Sequence, residues 1–142
     1  MPHLVMLYAG ELAASVDMQG FCRAAADTLL GIQDEKGAFV FPKGGTRVFA
    51  VPAAYSAISD GGEAGRAAGG SGNYSFFYLN LRMGMGRSEA VHKATGDALV
   101  GVAKRFLAPY EQNHHYGLTV QIDQSENQVY DAKISTLHSL FR

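Results

Sequence analysis

The chain has 142 residues, 47% of them hydrophobic, and a formal net charge of −1. That length fits one domain with a buried core, and nothing in the near-neutral charge suggests a polyanionic partner such as nucleic acid. Cys22, the only cysteine, excludes an intrachain disulfide and fits a reducing compartment; no apolar run is long enough for a membrane helix and no basic-then-apolar leader opens the chain, so a soluble, cytoplasmic protein is expected.

Residues 3–8 are apolar and rich in strand formers, so the chain should be tied into a sheet almost from its start. Asp17 suits the N-cap of a helix, and Phe21, Ala24, Ala25, Thr28, Leu29 and Ile32 then recur at helical spacing before a stop near Gly31. Cys22 falls among these apolar positions and reads as core, not as a catalytic thiol. A second strand is expected over residues 46–55, at an edge or bulge because it contains Pro52. Residues 61–72 include six glycines and read as a mobile loop that cannot pack a core.

Residues 73–82 carry the strongest strand signal, aromatic and branched with almost no charge, which predicts cover on both faces. Ser88 can cap a long helix running to Leu107 with an apolar face of Val91, Ala94, Ala98, Leu99, Val102 and Phe106, and Pro109 stops it. Residues 116–124 alternate as a half-buried strand does. The tail 134–141 has short strand or 3₁₀ character and is apolar enough to dock on something. The order is β-α-β, glycine loop, β-α-β, tail. It predicts an α+β fold in which two right-handed βαβ units, at about 1–60 and 73–142 of a single domain, build a four-stranded sheet under two helices. Helices on one face only leave the other sheet face apolar, and a homo-oligomer is expected to cover it.

Pro2 is the residue with the most chemical potential. Small second residues permit removal of the initiator methionine, and the chain then opens on a prolyl secondary amine. An unperturbed α-amino group titrates at about 7.7–8.0, so a modest fall yields a general base at neutral pH. Arg47, after Gly44, Gly45 and Thr46, and Arg87, after Gly84, Met85 and Gly86 at a helix N-terminus, are candidate anion binders, because glycine admits a ligand close to the backbone and a guanidinium fits a carboxylate. Taken alone, each reads first as a surface or interface ion-pair arginine. The Gly-x-Gly-Arg spacing is too short for a dinucleotide or P-loop signature. His114 and His115 are adjacent and lack metal-ligand spacing, and no metal site is expected. His3 reads as structural. His92 and His138 have no serine or cysteine nucleophile at a recognisable spacing, and Asp123 and Glu126 do not form a carboxylate pair.

Together these residues resemble the 5-carboxymethyl-2-hydroxymuconate Δ-isomerase family of the tautomerase superfamily. The resemblance is carried by Met1-Pro2-His3, by Phe41-Pro42 with Gly45-x-Arg47, by Leu81-Arg82-Met83-Gly84-x-Gly86-Arg87-Ser88, and by the ending Leu137-His138-Ser139-Leu140-Phe141-Arg142. It implies a tautomerase-like trimer and isomerisation of a dienol polycarboxylate to an α,β-unsaturated ketone in aromatic-acid catabolism, with no cofactor. It further implies that Pro2 is the base and that Arg47 and Arg87 hold the substrate carboxylates and 2-oxo group. Phe49 stands where many relatives have a second arginine, and Ser135 and Thr136 stand where asparagines are common. Two other functions remain open on the sequence: a related tautomerase or hydratase acting on another carboxylate, and a trimeric binding module that keeps the fold without the chemistry.

Overall fold

The computed structural model describes residues 2–126 and 128–141. Strand β1 (His3–Gly10) leads through a 3₁₀ turn (Glu11–Ala14) to helix α1 (Met18–Leu30) and strand β2 (Arg47–Pro52). A short helix α2 (Glu63–Ala67) precedes strand β3 (Tyr74–Gly84), helix α3 (Glu89–Leu107) and strand β4 (His115–Ser125), and a 3₁₀ turn (His138–Phe141) lies near the end. The sheet order is β2-β1-β3-β4. β1 pairs in parallel with β2 and β3 in parallel with β4, while the central β1–β3 pair is antiparallel. The two βαβ units therefore join through their first strands.

Local chemistry sets the helix boundaries. Asp17 accepts the Gly20 N–H through Oδ1 at 2.9 Å, and Ser88 Oγ accepts the Val91 N–H at 3.2 Å; both satisfy amides that a first helical turn leaves free. Ser88 also donates to the Glu35 carboxylate, which ties the start of α3 to the loop after α1. α1 buries Phe21, Ala25 and Leu29, as its spacing predicts. On α3 the buried residues are Val91, Thr95, Leu99, Val102, Ala103 and Leu107. Ala94, expected on that face, is exposed. Thr95 takes the inner position because its hydroxyl donates to Val91 O at 2.8 Å and needs no water.

Both long helices lie on one face of the sheet. Leu4 and Met6 of β1 and Phe77, Leu79, Leu81 and Met83 of β3 point into this layer and are buried against the helices. Phe21 of α1 stacks on Phe106 of α3 with ring centroids 5.0 Å apart, closing the layer from above. The opposite sheet face is open. Leu7 and Val51 are each 45% exposed and Phe49 51%, and on β3 itself Phe76 is 37% exposed, so the expected cover on both faces of β3 is absent within one chain. β3 alternates buried and open positions along its length, as a strand with one covered face must.

β2 ends at Pro52, short of residue 55, because proline donates no ladder hydrogen bond and this strand is an edge. Residues 61–72 also depart from expectation. They contain α2, held by Asp60, whose carboxylate accepts the Gly62 and Ala64 N–H groups at 2.9 Å each, and by Tyr74, whose hydroxyl accepts the Gly65 N–H at 2.9 Å. Gly62, Gly65 and Gly72 are buried. Gly10 shows why β1 ends where it does: its φ is +100°, and a Cβ there would lie 2.1 Å from Tyr74 O. No helix among the described residues is long and apolar enough to cross a membrane.

Candidate active site

Pro2 is buried at the head of β1, in the centre of the sheet. Its carbonyl oxygen accepts the Arg47 N–H at 3.3 Å, so the first residue of β2 is bound to it directly. Met1, and with it the question of methionine removal, lies outside the described residues. Strand alternation directs Pro2 to the face that carries Leu4 and Met6, and His3 to the open face.

The register brings three basic side chains into one row on that open face. His3 is paired with Arg47 on one side and with Arg82 on the other. The Arg47 Nη1 lies 3.5 Å from both ring nitrogens of His3. Burial holds the His3 imidazole below its usual range, and the Arg47 and Arg82 guanidinium groups push it the same way. Asp123 completes the row beside Arg82, and its carboxylate accepts from Asn80 Nδ2 at 2.7 Å. Sequence reasoning treated His3 as structural and gave Arg82 no separate role. Neither position has a local signal, because their meeting is a property of strand register.

Arg87 lies just before α3. Its Nη1 donates to Gly84 O at 3.2 Å and to Met85 O at 3.4 Å, and its Nη2 donates to Val40 O at 3.2 Å. The guanidinium sits 5.9 Å from the Phe41 ring centroid. These contacts bind the turn after β3 to the Val40–Phe41 stretch, and they orient a cation without neutralising it. Arg47 and Arg87 thus flank the segment 41–46 from its two ends. The turn within that segment is itself fixed, with Gly45 N–H and Thr46 N–H both donating to Pro42 O at 3.1 and 3.0 Å.

The other sequence candidates separate from this end of the sheet. His114 lies 4.0 Å from the Glu11 carboxylate and edge-on to Tyr110, while His115 begins β4 edge-on to Tyr74. Cys22 is half-buried against the core, and burial pushes its thiol up, away from a reactive thiolate. His138 lies instead against Gly44, within the segment between the two arginines.

A model of the 5-carboxymethyl-2-hydroxymuconate isomerase family matches residues 2–141. Among solved structures, a 5-carboxymethyl-2-hydroxymuconate delta-isomerase is 54% identical over 100% of this chain and 93% of its own, with a TM-score of 0.94. A 5-carboxymethyl-2-hydroxymuconate isomerase from Deinococcus radiodurans R1 is 26% identical over 99% of this chain and 94% of its own, with a TM-score of 0.80. Pt0534, inactivated by 2-oxo-3-pentynoate, shares the fold at 16% identity, covering 99% of each chain with a TM-score of 0.54. No curated protein matches the chain. A buried proline heading the central strand, a basic row beside it and family agreement over almost every residue lead to one assignment: the chain belongs to the 5-carboxymethyl-2-hydroxymuconate isomerase family and is a tautomerase-type isomerase.

Proposed function

We propose that this isomerase moves a proton within 5-carboxymethyl-2-hydroxymuconate or a closely related dienol carboxylate, using the Pro2 amine freed by removal of Met1. The observation that carries the reading is the placement of Pro2, buried at the head of β1 and bound through its carbonyl to Arg47. A dienol becomes an α,β-unsaturated ketone when a proton leaves the enol oxygen and another arrives at carbon. A single amine serves both steps if its neutral form is populated near pH 7. A buried position with guanidinium groups nearby would favour the neutral form of a prolyl amine. Arg47 and Arg87 supply positive charge for the substrate carboxylates and for the enolate oxygen that develops during transfer. The reaction needs no redox change and no cofactor.

We further propose that the enzyme is a homotrimer. The open sheet face, with Val5, Leu7, Phe49, Val51 and Phe76 all more than a third exposed, supports it. The two βαβ units are read as one duplicated domain, at about 1–60 and 73–142, and the lone Cys22 accords with a cytoplasmic setting.

The test is ultraviolet turnover of 5-carboxymethyl-2-hydroxymuconate by protein whose intact mass lacks Met1. Pro2→Ala, which leaves a primary amine, should lower kcat by about 100-fold or more. Turnover like the parent's would sink the reading. Arg47→Ala and Arg87→Ala should each lower kcat/KM through loss of charge at the carboxylates and the developing enolate.

A further inference from the structure

Residues 128–141 cross the Pro2 end of the sheet from one edge to the other. They leave β4 at Ser125, where Gln128, Asp131 and Lys133 share a cavity of about 120 Å³ with His3 of β1 and Met83 and Gly84 of β3. The final turn, His138–Phe141, reaches the β2 side. There Phe141 shares a groove of about 400 Å³ with Cys22 of α1 and with Thr46 and Val48. His138 covers Gly44, which is buried. A Cβ on Gly44 would stand 3.2 Å from His138 Cγ and 3.3 Å from its Cα, so a side chain there would push the His138 turn by a few tenths of an ångström.

The segment buries little of its own apolar surface apart from Leu137 and Phe141, each about half-buried. Val129 and Ile134 are fully exposed, and Leu140 is 71% exposed. What ties it to the domain is contact at its two ends, with the His3–Gly84 cavity at one and with Gly44 and, through Phe141, the α1 groove at the other. Gly44 belongs to the turn that Gly45, Thr46 and Pro42 close by hydrogen bonds, and the next residue, Arg47, donates its N–H to Pro2. A shift at Gly44 is therefore passed to Arg47 through three peptide units.

We propose that residues 128–141 form a wall of the substrate site, and that His138 is a positioning residue which sets Arg47 by packing on Gly44. This rests on the reading of Pro2 and Arg47 given above. His138→Ala should raise KM about tenfold with kcat changed less than about threefold, the signature of a displaced binding group and intact proton transfer. Gly44→Ala should do the same in the full chain, since its new methyl displaces the His138 turn.

The decisive comparison repeats Gly44→Ala in a chain ending at Gln128. With the turn already gone, the substitution should have no further effect, a complete departure from additivity. An equal KM penalty in the long and short chains would overturn the proposal. Should the short chain fail to fold by circular dichroism, Phe141→Ser in the full chain takes its place, because it loosens the same turn from the α1 groove. Hydrogen exchange gives a readout independent of turnover: the Arg47 amide should exchange about tenfold faster in His138→Ala. An unchanged Arg47 amide refutes the positioning role even if Pro2 proves not to be the base, whereas parent-like turnover of Pro2→Ala with a faster Arg47 amide refutes only the catalytic reading.

Discussion

Ser75 shows how much of this fold rests on single polar groups. It is buried on β3, and its Oγ accepts the N–H of Leu12, itself fully buried, at 2.9 Å. Ser75→Ala leaves that amide without a partner and should cost about 1–3 kcal/mol, read as a lower midpoint in urea with an unchanged slope. His3 carries a pH signature. Its folded pKa is lowered from 6.5, so the unfolded chain binds the proton more readily. The associated stability is present above pH 6.5 and is lost as pH falls through the lower folded value. Urea midpoints measured from pH 8 to 5 should decline through this window, and His3→Gln should flatten the decline. A slope unaltered by that substitution would place the effect on another group. Sequence identified Pro2, Arg47 and Arg87 as chemically interesting from their neighbours in the chain. It did not single out Arg82, because only the β1–β3 register brings that residue to His3.

Among the elements, those with periodic apolar faces and side-chain caps were legible: α1 and α3 begin at Asp17 and Ser88 as their capping chemistry requires. α2 was not, because glycine content hides a helix whose support comes from outside it. The usable signal was Asp60, three residues before Glu63, together with the distant Tyr74 hydroxyl. The hydrogen bonds from Ala64, Tyr74 and Gly62 hold the Asp60 carboxyl below its usual range. Its contribution is present above the ordinary carboxylate value and is lost as pH falls through the lower folded one. Asp60→Ala should therefore speed amide exchange across residues 62–68 at neutral pH, while the β3 amides keep their protection. Loss of protection in β3 as well would mean that α2 is part of the core and not an attachment to it.

For the whole molecule, the open sheet face is the dominant feature. Leu7 stands in its middle, between Val51 and Tyr78 on the neighbouring strands. Leu7→Glu adds a charge that a solvated face tolerates and a buried interface does not. On the trimer reading it should shift the protein to a monomer in sedimentation and abolish turnover, while circular dichroism stays close to that of the parent. An unchanged oligomer would show that some other surface holds the subunits. The strength of β3 as a sequence signal belongs here too: its aromatic residues extend from the face under the helices onto the open face, where Phe76 is 37% exposed within the chain.

The central place of β1 also bears on how the molecule assembles. Its partners, Arg47 of β2 and Arg82 of β3, come much later in the sequence, so neither side of β1 can close by local contacts. Such non-local pairing slows folding, whereas α1 and α3 need only near neighbours. Refolding should therefore show helical signal ahead of sheet closure. Pro2, at the head of that strand, is made early and enclosed late: the environment that surrounds its backbone exists only once the sheet has closed.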